Sequence, residues 1–424
     1  MREKIKEFLN KKSVKNGMWL YMLQFFNMVV PLLTLPYITR ILGSSVYGIF
    51  SIALNIVNYL VVVVEYGFPM SATRKVAIDS NKELLNKTFT TVIIGRLLLL
   101  LLSILFSIVY IFFNRDNLQL VFSFAILLIC LLGNCVQMNW LFQGMQDMKI
   151  ISIINVVSRI ISVTLIFCFV KTQKDLLLYS LLYSISPFLS GFIGIVVAKK
   201  KYALHFVNIK MLDVKNELKE GFYVFTTQLS SKVFGTIGIT FLSFFASSSD
   251  VGVFSAIQKI PNIMLLLWMP IAQVIYPIAS KKFMHNYFEG LAFVIRMQRI
   301  FLPLFVVLAG GVGVSGKFIL NIAFGEEYSE FYYWLFPLLA WMVVAIVNNF
   351  IGIQTLLGSG HDKEYGEAFQ IGIILTVLIN LLLTKTFMGF GAALAPVISE
   401  IVLNILLRIK LKKITAQVLL SDGN

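Results

Sequence analysis

Uninterrupted runs of Leu, Ile, Val and Phe, each long enough to cross a bilayer as a helix, recur along this chain at intervals of about 25 to 35 residues. A hydrocarbon layer about 30 Å thick takes about 20 apolar residues of helix to span. Barrel strands would alternate with period two, and these runs do not. They number about twelve, from 17–42 and 46–69 through 221–246 and 251–280 to 390–411. With 58% hydrophobic and only 13% charged residues among 424, and a mean hydropathy of +0.84, no water-exposed fold could hide that surface. The expected fold class is an all-α polytopic membrane protein.

The basic residues orient the runs. Of 36 Lys and Arg, four lie inside apolar runs (Arg96, Arg159, Lys232 and Lys259). Six lie in loops on one side (Arg40, Arg115, Lys171, Lys174, Lys317 and Lys385), and the remaining 26 share the other side with both chain ends. The positive-inside rule therefore predicts cytoplasmic termini. The net charge of +15 reads as topology signal and affinity for anionic lipid, not as a nucleic-acid surface. The N-terminal MREKIKEFLNKKSVKNG is basic like a signal peptide, but the long apolar run behind it lacks a small-x-small cleavage site, so an uncleaved first span is expected. Cys130, Cys135 and Cys168 lack metal-ligand spacing and His205, His285 and His361 are scattered, so neither a metal centre nor a disulfide framework is predicted.

Residues 16–58 laid on 220–262 at a constant offset of 204 match at ten positions, among them Gly17/Gly221, Gln24/Gln228, Ser44/Ser248, Ser45/Ser249, Gly48/Gly252, Phe50/Phe254 and Ser51/Ser255. GIFS and GVFS thus open the second helix of each half. An offset of six spans preserves orientation, so the halves read as parallel repeats about an axis normal to the membrane. The predicted layout is a six-helix lobe at 1–198, a basic cytoplasmic linker at 199–220, a second six-helix lobe at 221–413 and a cytoplasmic tail at 414–424. Two such lobes facing a cleft are the architecture of an alternating-access transporter.

A cation in mid-membrane costs from roughly 2.5 kcal/mol to well above 10, so it normally faces a wet cavity or an anion. Arg96, Arg159, Lys232 and Lys259 are therefore the candidates for an anion-handling cavity. The alternative for each is a side chain that snorkels to an interface or bonds a helix carbonyl. Carboxylates in low dielectric can bind and release Na⁺ or H⁺, which makes Glu400, Glu65 and Asp250 candidates for ion coupling. Glu65 also has Arg74 and Lys75 nearby in sequence as pairing partners, and Glu400 has the alternative of a basic partner within the bundle. Pro31 and Pro36 interrupt the first span and are hinge candidates, although membrane helices tolerate proline. Gly310, Gly311, Gly313 and Gly316 read as a helix-packing surface. No Gly-rich phosphate loop, HExxH motif or large outer loop suggests catalysis, so a non-enzyme is expected.

The stretch from Pro31 to Ser51, PLLTLPYITRILGSSVYGIFS, with the Gly67–Arg74 segment GFPMSATR, resembles the opening of the Wzx-type O-antigen and polysaccharide flippases, members of the multidrug/oligosaccharidyl-lipid/polysaccharide exporter superfamily. Span count and length extend the resemblance over nearly the whole chain. It implies a bacterial plasma-membrane protein that flips an undecaprenyl-pyrophosphate-linked oligosaccharide outward, coupled to Na⁺ or H⁺, for a polysaccharide polymerase or ligase to use. Arg96, Arg159, Lys232 and Lys259 would then line the path of headgroup and sugar. A lipid II flippase and a drug/cation antiporter of the same superfamily are the alternatives, with a membrane glycan polymerase behind them. The antiporter would be expected to carry an acid deep in span one or seven, and neither has one.

Overall fold

The computed structural model describes residues 12–79 and 81–422, and the basic stretch 1–11 lies outside them. All regular structure among the described residues is helical: α1 (Lys12–Glu65), α2 (Phe68–Ile78), α3 (Lys82–Phe113), α4 (Leu118–Leu127), α5 (Ile129–Cys135), α6 (Asn139–Gly144), α7 (Met148–Phe169), α8 (Leu176–Tyr202), α9 (Met211–Phe245), α10 (Ser248–Ile257), α11 (Lys259–His285), α12 (Tyr287–Val314), α13 (Gly316–Phe324), α14 (Glu326–Ser329), α15 (Leu335–Asn349) and α16 (Asp362–Asp422). A π-helical stretch, Phe350–Leu357, continues α15. Among the described residues nine stretches are long and apolar enough to cross a membrane. Two of these, of 63 and 59 residues, are far too long for one crossing. Each is broken where the backbone leaves helical geometry, at Gly43 (φ 73°) in α1 and at Met388 (φ 49°) in α16.

The chain divides into two compact units, Met1–Thr34 with Ile49–Lys232, and Leu35–Gly48 with Val233–Asn424. These bounds differ from the predicted lobes in two places. Residues 35–48 of α1 belong to the second unit, and the stretch read as a linker, together with residues 221–232 of the predicted second lobe, belongs to the first. Side-chain chemistry explains the second difference. The Lys75 ammonium pairs with Glu217 at 2.6 Å and Glu220 at 2.8 Å, and the Ser71 hydroxyl donates to Glu217. Tyr66 stacks on Phe225 with ring centroids 4.5 Å apart. Gly67 lies so close to Gly221 that a Cβ there would come within 2.2 Å of its carbonyl oxygen. The start of α9 is thereby fastened to α2.

In the second unit, residues 35–48 of α1 cross α10 at the glycines matched in the sequence alignment of the two halves. A Cβ on Gly48 would lie 1.7 Å from the Ser248 carbonyl oxygen, and one on Gly252 2.0 Å from that of Ser44. The two GxFS motifs touch each other, which is why only glycine serves at both. Glu327 accepts from the Ser44 backbone N–H at 3.1 Å and from its hydroxyl, just after the Gly43 break. Arg40 donates to the carbonyls of Asn321 and Ile322 near the end of α13. A carboxylate at a helix start and a guanidinium at a helix end each meet groups left without intrahelical partners. Gly313 and Gly316 pack on Phe336, Leu339 and Leu335, whereas Gly310 and Gly311 face open space.

Candidate functional site: a polar cavity in the first unit

Four helices of the first unit present polar faces to one cavity of about 280 Å³. Helix periodicity selects the residues. Asn155, Arg159, Ser162 and Ile166 of α7 stand at i, i+4, i+7 and i+11, as do Tyr179, Tyr183, Ser186 and Ser190 of α8. Cys130 and Asn134 of α5 with Gln137, and Leu54, Asn58 and Val61 of α1, repeat the spacing. Val30 and Thr34 complete the wall. The helices come close because glycine allows it: a Cβ on Gly133 would meet the Pro187 carbonyl oxygen at 2.3 Å, and one on Gly191 that of Gly133 at 2.0 Å.

Within the wall, the Gln137 amide donates to Ser190 at 3.4 Å, and the Ser190 hydroxyl donates to the Asn155 carbonyl oxygen at 2.8 Å. Phe50, buried behind them, packs on the rings of Tyr179 and Tyr183 with centroids 4.4 and 5.3 Å away. The Asn58 amide and the guanidinium of Arg159 have no hydrogen-bond or ion-pair partner among the described residues. Arg159 is the single charged residue of the lining, and it stands in the middle of a membrane-spanning helix. A cation held there with unused donors and no carboxylate beside it is arranged to receive an anion.

Arg96 takes a different place from the one predicted. It is 2% exposed, outside the lining, and one of its terminal nitrogens donates to the carbonyls of Asn134 (3.2 Å) and Gln137 (2.6 Å). Those carbonyls belong to the break between α5 and α6, where the helical ladder is interrupted. The guanidinium lies 5.9 Å from the centre of the Phe68 ring. Arg96 thus fixes the segment that carries Asn134 and Gln137 into the cavity, a positioning role. Glu65 lies within electrostatic reach of Arg96 and of Lys232, the last residue of the first unit. The pairing expected for Glu65 with Lys75 gives way because Lys75 is held by Glu217 and Glu220.

The second unit holds the other predicted residues. Glu400 is 7% exposed, with its backbone carbonyl accepting from the Asn348 amide at 2.8 Å and its carboxylate accepting from the same nitrogen. Asn404 donates to Asn348 at 2.7 Å and accepts from the Arg408 guanidinium at 2.7 Å. Lys259 is exposed at the start of α11. Asp250, predicted as a coupling acid, is spent locally: it accepts from the Ser247 N–H and hydroxyl, 3.2 and 2.7 Å away, in a capping box that starts α10. The S-x-x-D spacing ahead of the GVFS motif was the sequence signal for that role. Pro31 and Pro36 bracket the point, between Thr34 and Leu35, at which α1 passes from one unit to the other. Asn58, Asn134, Gln137, Asn155 and Tyr183 escaped sequence reasoning; the polar i, i+4, i+7 faces of α7 and α8 were the available signal.

The family model for polysaccharide biosynthesis proteins matches residues 13–283, more than half of the chain. This chain belongs to that family. A protein of Escherichia coli (strain K12) described as an O-antigen transporter is 26% identical over 401 residues, covering 92% of this chain and 95% of the relative. A low-salt glycan biosynthesis flippase, Agl15, of Haloferax volcanii is 23% identical over 398 residues, covering 92% and 81%. Both agree with the resemblance carried by the Pro31–Ser51 motif. Among solved structures, the lipid II flippase MurJ in an inward closed conformation superposes with a TM-score of 0.70 at 15% identity, over 92% of this chain and 87% of that one. An inward-facing multidrug resistance MATE family transporter of the MOP superfamily gives 0.65 at 14%, over 92% and 98%. At such identities the likeness is one of fold: a multi-pass helical membrane transporter architecture.

Proposed function

We propose that this polysaccharide-biosynthesis family member moves an undecaprenyl-pyrophosphate-linked oligosaccharide from the cytoplasmic to the outer leaflet of a bacterial plasma membrane, for O-antigen or another surface glycan. The observation that carries the reading is the first-unit cavity, in which Arg159 is a cation with no ion-pair partner among the described residues, set among neutral hydrogen-bonding groups. A lumen lined by a cation and no carboxylate disfavours cationic drugs and suits an anionic substrate.

In this reading the chain has twelve spans in two six-helix lobes related by a pseudo-two-fold axis normal to the membrane. Dividing the two over-long stretches at their breaks and adding α9 to the nine candidate spans supports that count. Both termini are cytoplasmic, and transport proceeds by alternating access with α1 bending between Pro31 and Pro36. Glu400 and Glu65 are the groups assigned to coupling with Na⁺ or H⁺, Lys232 and Lys259 accompany Arg159 as cations of the substrate path, and Arg96 acts on that path through the α5–α6 segment it holds. A polymerase or ligase receives the product, and the flippase itself makes and breaks no covalent bond.

The test is a deletion strain complemented with wild type, assayed for surface glycan and for lipid-linked repeat units by leaflet. Loss of surface glycan with repeat units held on the cytoplasmic leaflet, restored by wild type, is expected. Normal surface glycan in a deletion strain without a second flippase would overturn the reading. Accumulation of a peptidoglycan precursor in place of repeat units would assign the chain to lipid II.

A further inference from the structure

The cavity's chemistry narrows which part of such a substrate it holds, an inference that rests on the flippase reading. Its volume of about 280 Å³ lies near the lower end of the roughly 300–1,000 Å³ of ligand pockets and holds about one sugar ring. Its lining carries a single positive charge, on Arg159. A pyrophosphate diester brings two negative charges, and one of them would be buried there without a counter-ion. A sugar carboxylate brings one, and the planar fork of a guanidinium matches a carboxylate with two parallel hydrogen bonds.

The remaining wall suits hydroxyl groups. Primary amides both donate and accept, as a sugar hydroxyl does. Asn58 is without a partner, and the carbonyl oxygens of the Asn134 and Gln137 side chains receive no hydrogen bond among the described residues. Val57, Val61 and Val163 offer the aliphatic patch on which a pyranose face can rest. The Tyr183 hydroxyl shares the electrostatic field of Arg159 and has no hydrogen-bond partner among the described residues.

We propose that this cavity is a subsite for one acidic sugar of the translocated glycan, a pyranose bearing a carboxylate, with Arg159 on the carboxylate, the side-chain amides on the hydroxyls, and the pyrophosphate bound elsewhere. The subsite selects among glycans; it does not recognise what all lipid-linked units share.

Repeat units extracted from the deletion strain test this directly. Their composition is expected to include a uronic or other carboxylate sugar, and a wholly neutral repeat unit overturns the proposal. Proteoliposomes then receive the native lipid-linked unit or the same unit with its carboxyl reduced to a hydroxymethyl group. Wild type is expected to flip the native unit at least tenfold faster. In R159Q that preference falls to within about twofold, and R159K, which keeps the charge without the fork, retains part of it. Equal loss of both substrates in R159Q would place Arg159 on the shared pyrophosphate and overturn the subsite while leaving the flippase intact. Unchanged rates for both would remove the cavity from the path. Failure of wild type to move either unit would instead remove the function on which the subsite rests.

Discussion

The two units handle polar groups inside the membrane in opposite ways. In the first, Arg159 and Asn58 face a cavity with their donors unused. In the second, the Arg408–Asn404–Asn348–Glu400 chain runs from an exposed guanidinium to a buried carboxylate, and both asparagine amides have donor and acceptor engaged. A satisfied buried network rigidifies its surroundings and leaves no donor open to an anionic ligand, whereas an unsatisfied one is tolerated only where water or substrate supplies the missing partner. Charge in a membrane is thus informative through its partners more than through its presence. The same contrast recurs inside the first unit, where Arg96 is closed off by carbonyls and Arg159 is not.

Substitutions sharpen that contrast. The largest transport effect is expected at the open site: R159A lowers flipping at least tenfold while leaving the melting temperature of the purified protein nearly unchanged, because no protein partner is orphaned. The reverse is expected at the closed site. N348L removes the donor to Glu400 and the acceptor for Asn404, costing ~1–2 kcal/mol of stability, and thermal unfolding in detergent reads it directly. A stable N348L protein would break the comparison. Arg96 falls between: R96Q is expected to lower both stability and transport, since the α5–α6 carbonyls lose their donor and the cavity wall shifts, with R96K rescuing part of each.

The smallest effect belongs to a partly exposed pair near the helix starts. Hydrogen bonding to the Lys87 ammonium, 2.9 Å away, holds the Asp213 carboxyl below the usual carboxylate range. A depressed carboxylate contributes stability that is present above its unfolded value, near pH 4, and is lost as pH falls through the folded one. D213N should therefore abolish a slight loss of stability below about pH 4 and leave transport at neutral pH unaltered. A marked transport defect in D213N would show that the start of α9 does more than anchor.

The sequence disclosed the helices through length and hydropathy, because a bilayer admits few alternatives. It marked Gly48 and Gly252 as matched positions, and those residues meet backbone to backbone and tolerate nothing larger. Arg159 was visible as a cost that had to be repaid. The partition between Arg159 and Arg96 was not visible, since it depends on whether a helix break in the next span offers carbonyls. Nor was the passage of α1 between units, which follows from contacts of Arg40 and Ser44 with residues some 280 positions later. The neutral wall stayed hidden because Asn, Gln, Ser and Tyr are cheap enough in a membrane helix to pass without comment, and only their shared face makes them a site.

The most direct test is light-activated cross-linking in living cells, with a diazirine amino acid in place of Val163 on the cavity wall or Val347 beside the Asn348 network. Covalent capture of the lipid-linked glycan at residue 163 and not at 347 is the expected result. Capture at 347 with none at 163 would contradict the assignment of the substrate to the first-unit cavity.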